Sequence, residues 1–483
     1  MSNLNVVAST PLLITAGTAT TALAVGLLPG RLARRHGPAL VAMVGIAAAM
    51  VMSVLLWDDR LEAFGGGLRA DRFSALMNLV FLSAALLTIL LAWREPAAVD
   101  RRGEYAALIL VSVSGMMLVA GAGDLISIFL GIEILSVSLY VLCALEIWRE
   151  KSLESGLKYL ITGAVGASIL LYGLTLLFGA TGSTKLSEIG DTLAGSSFTH
   201  EPLLVAAMVL IVSGLAFKAS AAPFHMWTPD VYEGAPTTVT AFMSTATKAA
   251  AFAAFLRIFA GVLPDLQTDW SAAIATVAVA SIAVGNIAAL VQDNMKRMLA
   301  YSSVAQAGYL LIGVAVGSIR GAEAVLYYLL AYGAMTMAAF AVVIIREREV
   351  EDGDTIGALD GYGRARPMIG ATMTIAMLSL AGFPPLAGFV GKFLLFGSAV
   401  EAGMTWLAVV GAVGSMISLG YYLRVITVIW SPGPAGGPRK VLAIPGPVGI
   451  ATITSGLAVI VLSLMASPVL DACRGAAEAL LAP

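Results

Sequence analysis

Three lysines occupy positions where lysine is costly. Lys218, Lys248 and Lys392 are each flanked by apolar or small residues for about ten positions on at least one side, so their amines cannot easily reach water. Burial makes an ammonium easier to deprotonate, by several pKa units in the extreme, whereas arginine stays charged almost anywhere. The chain holds 8 lysines against 20 arginines, yet four of the six basic residues within or at the edge of apolar segments are lysines. The six are Lys158, Lys218, Lys248, Arg257, Lys392 and Arg424. A lysine bias at depth points to proton exchange rather than fixed charge. Lys158, near a segment start, reads equally as a proton-path residue or as an amine that snorkels to the interface. Arg257 and Arg424, close to segment ends, read as anchors. One acid is placed like the lysines: Glu133, mid-segment in Leu130-Gly-Ile-Glu-Ile-Leu-Ser. A carboxylate there needs a partner and a nearby lysine is the natural one, either as a static pin between helices or within a proton path. Asp124, at the mouth of the same segment, reads as a cap.

The elements that hold these residues must be membrane helices. Of 483 residues, 59% are hydrophobic and only 12% charged, and the mean hydropathy is +0.91. A soluble domain carries about 25% charged residues. In lipid the backbone must satisfy itself, so apolar runs of about 20 residues are helices, and the alternation of a barrel is absent. Apolar segments fall near 8–28, 39–57, 72–93, 105–123, 124–147, 157–180, 203–222, 236–263, 271–291, 298–318, 321–345, 369–398, 404–430 and 447–468. The expected fold is an all-α polytopic membrane protein of about fourteen helices. The longest loops, 181–202 and 346–368, are too short for a soluble module, so 1–483 is expected to be one membrane domain. Met1 to Val7 carry no positive charge and lead into an apolar run, so no cleavable targeting peptide is expected. Two cysteines, Cys143 and Cys473, and three scattered histidines, His36, His200 and His225, fit no cluster, metal or haem spacing. No redox cofactor is expected in this chain.

Positive charge assigns the sides, because lysine and arginine are enriched in cytoplasmic loops. With the N-terminus outside, inward loops hold 16 basic residues, among them Arg31, Arg94, Lys296, Arg346, Arg439 and Lys440, and outward loops hold 6. That split predicts an even number of helices with both termini periplasmic.

Two segments are interrupted. The seventh runs Phe217-Lys-Ala-Ser-Ala-Ala-Pro-Phe-His-Met-Trp, where Pro223 frees carbonyls one turn earlier, beside Lys218. The twelfth contains Gly382-Phe-Pro-Pro-Leu-Ala-Gly, with Pro384 and Pro385 just before Lys392. The breaks are five helices apart. Five being odd, helices 4–8 (105–263) and 9–13 (271–430) are expected to form two inverted five-helix repeats, with binding at the broken helices 7 and 12. Three N-terminal helices (1–104) precede them and a last helix (447–468) follows. The repeat is imperfect: no acid matches Glu133, and only Arg424 matches Lys248.

The run from Phe217 to Lys248, which contains Ala-Ala-Pro-Phe-His-Met-Trp-Thr-Pro-Asp-Val-Tyr-Glu-Gly-Ala-Pro-Thr, resembles a signature of the antiporter-like membrane subunits of respiratory complex I, the proton-pumping NADH:quinone oxidoreductase. These are related to Mrp-type sodium/proton antiporters. Asp293-Asn-Met-Lys-Arg-Met-Leu-Ala-Tyr-Ser-Ser-Val-Ala-Gln-Ala-Gly-Tyr309 and the Gly-Phe-Pro-Pro-Leu-Ala-Gly-Phe run support the resemblance, which covers nearly the whole chain. Ile132 before Glu133, where the other types usually show Trp, and an expected end after helix fourteen resemble the N-type subunit.

The resemblance implies roles. Glu133 would tune Lys218, Lys248 would be the central relay, and Lys392 would gate release to the periplasm. His225 would line the connection, and water, Ser and Thr hydroxyls would bridge the members. NAD, FMN, iron-sulfur clusters and quinone would sit in partner subunits. The partners would be neighbouring antiporter-like and small membrane subunits and lipids, with no nucleic acid, in a bacterial inner membrane. The chain would then be part of a translocase without redox chemistry of its own. Two other readings stay open: a subunit of a Mrp-type cation/proton antiporter or related membrane-bound hydrogenase complex, and a scaffold whose buried charges only lock helices together.

Overall fold

The computed structural model describes residues 5–93, 101–194, 201–433 and 443–481, without the side chains of Arg31 and Leu32. Arg94, His200, Arg439 and Lys440 lie outside the described residues.

The apolar runs form helices, because only a helix satisfies each backbone group within its own segment. In chain order they are α1 (Val6–Leu27), α2 (Arg31–Leu55), α3 (Arg72–Leu91), α4 (Arg102–Ala120), α5 (Leu125–Cys143), α6 (Glu150–Thr181), α7 (Leu186–Leu193), α8 (Pro202–Ala219), α9 (Trp227–Gly234) and α10 (Thr237–Phe242). A wide π turn (Met243–Thr247), α11 (Lys248–Phe255) and a second π turn (Leu256–Ala260) continue α10 as one span. Then come α12 (Gln267–Leu290), α13 (Met295–Val316), α14 (Ile319–Glu347), α15 (Tyr362–Ala365), α16 (Pro367–Ala381), α17 (Ala387–Glu401), α18 (Thr405–Ile429), α19 (Gly446–Leu464) and α20 (Ala466–Leu481).

Thirteen helices among the described residues are long and apolar enough to cross a membrane, by length and composition. The remaining apolar segment, near 369–398, is divided into α16 and α17, each too short alone. The span Thr237–Ala260 is entirely buried and Met295–Val316 is 94% buried, whereas α1 and α2 bury a third or less of their apolar windows. The span Thr237–Ala260, α13 and α14 are therefore the interior of the bundle, and every lysine singled out above except Lys158 is within it or against it.

Several features depart from the sequence expectations. A two-stranded antiparallel hairpin, β1 (Leu61–Ala63) and β2 (Leu68–Ala70), joins α2 to α3. Gly65 and Gly66 close it with positive φ, 67° and 93°, which side chains resist. A Cβ on Gly123 would stand 1.9 Å from Gly66 O, so the α4–α5 turn can approach this hairpin only as glycine. The chain does not stop folding after the fourteenth segment: α20 packs across α3 and α14. Its amphipathic pattern is not long or apolar enough to register as a membrane span. Lys296 and Arg346, expected in inward loops, lie in α13 and α14 with buried side chains. Hydropathy places charges at segment ends in loops and cannot see a side chain that turns inward. Arg257 is likewise not an interfacial anchor. It is buried, and donates to Asp71, the N-cap of α3, at 2.7 and 3.0 Å and to Ala120 O at 2.8 Å.

Candidate functional site

The first break begins where α8 ends at Ala219. Ser220 adopts a left-handed conformation (φ 60°), and the chain stays non-helical until Trp227 starts α9. Pro223 cannot donate, and the loosened carbonyls find other partners: Phe217 O accepts from Trp227 Nε1 at 3.3 Å, while Ala222 N donates to Ser281 Oγ at 2.8 Å. Lys218 sits in the last turn of α8, where the helix dipole favours a cation. Its amine does not reach the loosened carbonyls. It donates to Ser136 Oγ of α5 at 2.6 Å and lies 5.6–5.9 Å from the ring centres of Tyr140, Tyr159 and Phe217. Glu133, one turn before Ser136, is half-buried, makes no ion pair with Lys218, and has Oε1 enclosed without a hydrogen-bond partner. The Tyr140 and Tyr159 hydroxyls are enclosed in the same way.

Lys248 follows the first π turn and is 2% exposed. It donates to Ser303 O of α13 and lies 5.5 Å from the Tyr332 ring centre of α14. Tyr332 in turn donates to Ser303 Oγ at 3.1 Å.

At the second break α16 ends at Ala381, Gly382 turns with φ 85°, and Pro384 and Pro385 precede α17. Lys392, one turn into α17, reaches back to the open end of α16. Its three donors meet three acceptors, Leu380 O at 2.9 Å, Ala381 O at 3.2 Å and Ser415 Oγ at 2.9 Å, with the Tyr309 ring centre 4.5 Å away. The two lysines thus use their breaks differently. Lys392 caps exposed carbonyls, and Lys218 turns to a hydroxyl.

Polar groups link these positions. Ser302, next to Ser303, shares a hydrogen bond with Tyr422 of α18. Gln306 Nε2 donates to Tyr422 Oη and to Leu380 O, both at 3.2 Å, and its Oε1 accepts from Tyr328. Leu380 O is also an acceptor of Lys392, so hydroxyls, one amide and one carbonyl join the surroundings of Lys248 to Lys392. Toward the first break, the Tyr232 phenol of α9 lies against the hydroxyls of Ser220 and Ser303. His225 is buried in the break turn, its ring 6.4 Å from that of Tyr301 and its Nδ1 without a partner. Lys158 stands apart: it is 44% exposed and pairs with Glu154 at 2.8 Å and Asp230 at 2.9 Å in a surface network continued by Arg297.

The buried cations divide into two sets. Arg257 is held by Asp71, Arg346 by Glu349 at 3.1 Å, and Lys296 stands 3.8 Å from Glu347. Among the described residues, Lys218, Lys248 and Lys392 make no ion pair and have neutral oxygens and ring faces as partners. Fixed pairs lock helices, whereas a lysine on neutral acceptors can give up its proton without stranding a buried carboxylate. Ser136, Ser302, Ser303, Gln306, Tyr328, Tyr332, Ser415 and Tyr422 join the site only through packing. The Tyr301-Ser-Ser-Val-Ala-Gln306 run was a signal, since three polar side chains in an otherwise apolar helix need partners. Among the described residues no group of three or more His, Cys, Asp or Glu could hold a metal ion.

A polytopic helical bundle with two interrupted helices and buried lysines at the interruptions is an arrangement of membrane translocators of protons or small cations. Residues 122–418 match the family described as NADH:quinone oxidoreductase/Mrp antiporter, TM. A relative from Trichlorobacter lovleyi named NADH-quinone oxidoreductase subunit N is 40% identical over 91% of this chain and 90% of its own. One of the same name from Moorella thermoacetica is 39% identical over the full length of both. Among solved structures, a chain of respiratory complex I from Thermus thermophilus is 35% identical with a TM-score of 0.81, covering 95% of this chain and 98% of that one. A chain of the Mrp complex from Dietzia has a TM-score of 0.87 at 23% identity, covering 99% and 98%, and shares the fold. The chain belongs to the NADH:quinone oxidoreductase/Mrp antiporter membrane family.

Proposed function

We propose that this chain is the N-type proton-translocating membrane subunit of an NADH:quinone oxidoreductase. The relatives of about 40% identity along nearly the whole chain support this reading, and the Mrp likeness, at 23%, extends to fold alone. The observation that carries the mechanism is the contrast between paired arginines and the three lysines on neutral acceptors. Lys218 receives a proton and hands it through Tyr232 and the Ser303 region to Lys248. The Ser302, Tyr422 and Gln306 links carry it to Lys392, which releases it to the periplasm. Hydrogen-bonded links suffice for this, and no pore is needed. Glu133 sets the charge state of Lys218, its unpartnered oxygen supporting a carboxylate that can move. His225 lines the turn beneath Lys218, and Lys158 is a secondary acceptor near the surface.

Redox energy is released in partner subunits, which bind NAD, FMN, iron-sulfur clusters and quinone, and reaches this chain as displaced charge. Two cysteines are too few to ligate a cluster of their own. Residues 105–263 and 271–430 act as two five-helix units of opposite orientation between three N-terminal helices (1–104) and the last helix (447–468). Both termini are periplasmic, in a bacterial inner membrane. The matched breaks beside Lys218 and Lys392 support that arrangement. Replacing Lys218 with Ala in the assembled complex tests the function: proton pumping is expected to fall while assembly persists. Undiminished pumping by assembled complex would mean a scaffold. The chain purified alone and active in sodium exchange would mean an antiporter.

A further inference from the structure

One buried lysine has no part in the relay above. Lys296, in the first turn of α13, has a fully buried side chain. Its amine donates to Ala235 O at 2.8 Å and stands 3.8 Å from Glu347 Oε1, its one carboxylate among the described residues. Glu347 ends α14 with its side chain 27% exposed, and accepts from Thr237 Oγ1, at the start of α10, at 2.8 Å. A partly exposed carboxylate thus covers a lysine that is fully buried. Three elements meet at this mouth, α13, α14 and the span Thr237–Ala260, and the same three surround Lys248 deeper in the bundle.

The geometry of α13 ties the two places together. Lys296 and Ser303 are seven residues apart, two turns along one helix face, or about 10 Å of rise. Ser303 O accepts from Lys248, and Ser303 Oγ accepts from Tyr332. On α14, Thr336 lies a turn nearer Glu347 than Tyr332 and beside its phenol. On the π turn, Thr247 Oγ1 is buried without a partner. Thr336 and Thr247 thus put hydroxyls at the Lys248 end of the interval that separates it from the pair.

We propose that the Lys296–Glu347 pair is a second uptake site, which supplies Lys248 with protons from the face where α14 ends alongside the entry through Lys218. This rests on the relay reading of Lys248. Glu347 takes a proton from water, which neutralises the carboxylate beside Lys296. An ammonium that loses its counter-charge yields its proton more readily. Lys296 passes one proton inward along the hydroxyls, and the proton on Glu347 then restores the lysine. One proton enters and one leaves, and both groups return to their charged forms. A purely static pair would be better built like Arg346–Glu349, with a guanidinium in hydrogen-bond contact.

The test uses the assembled complex in proteoliposomes, with NADH-driven proton transport and NADH oxidation measured together. Glu347→Gln and Lys296→Met are each expected to lower proton transport severalfold, less than the ~10²–10⁴-fold of a sole proton-transfer group because the entry through Lys218 remains. Glu347→Asp is expected to recover part of it. Either single variant leaves one buried charge alone and can fail to assemble. The double variant Lys296→Met/Glu347→Gln removes both charges and keeps the packing. It is expected to assemble and still transport poorly. Normal transport by the double variant overturns the proposal and makes the pair structural. Lys248→Met is measured alongside: if it too transports normally, the relay itself is wrong, and if it alone is impaired, only the uptake site is.

Discussion

Arg257→Leu and Lys392→Met remove two buried cations of similar depth, and their stability costs should differ sharply. Arg257 and Asp71 have side chains 5% and 11% exposed. Removing the guanidinium leaves a buried carboxylate with its cap bond from Ser74 N but no counter-charge, and the Ala120 carbonyl without that donor, and breaking such a pair costs about 3–5 kcal/mol. Asp71→Asn keeps the α3 cap, because an amide oxygen also accepts from Ser74 N, so the double variant Arg257→Leu/Asp71→Asn should recover much of the loss. Lys392→Met strands nothing. Leu380 O keeps Gln306 Nε2 at 3.2 Å, and Ala381 O keeps Ser415 Oγ at 2.9 Å. With no carboxylate left behind, its cost should be about 1 kcal/mol or less, or a gain. Denaturant titration in detergent reads both as a shift in midpoint at constant slope. Equal destabilisation by the two variants would refute the division of buried charges into locking pairs and exchanging lysines.

Other substitutions test single links. Tyr422→Phe deletes the hydroxyl joined to Ser302 and Gln306 and should slow proton transport by roughly tenfold with normal assembly, read by vesicle acidification against subunit content. Ser136→Ala removes the hydrogen-bond acceptor that Lys218 has among the described residues and should impair transport similarly, while Ser418→Ala, on the same helix as Tyr422 but outside the series, should not. Gly388→Ala places a Cβ 1.8 Å from Ser379 O, so α17 must move off α16. A loss of about 1–3 kcal/mol is expected in the same titration, with transport reduced through Lys392.

Much of this was legible in the sequence, because lipid leaves few options. All fourteen apolar segments fall on helices, and the breaks lie where Pro223 and Pro384–Pro385 put them. What escaped was direction. Spacing places Lys218 beside loosened carbonyls but cannot say that its amine turns to Ser136 instead. Lys296 and Arg257 read as loop and anchor because a window average is blind to which face a terminal residue takes. Ser302, Gln306 and Tyr422 come from helices far apart in sequence, and only packing brings them together. The hairpin at Leu61–Ala70 and the amphipathic α20 are too short or too polar for a membrane window.

The most direct test of the account is proton transport per NADH oxidised by complex that carries Lys248→Met, normalised to assembled subunit. Intact assembly is expected, with proton transport reduced by about a hundredfold or more, since the central link of the relay is gone. Assembled complex that transports protons at the unaltered rate would contradict it, and would leave the buried lysines as packing alone.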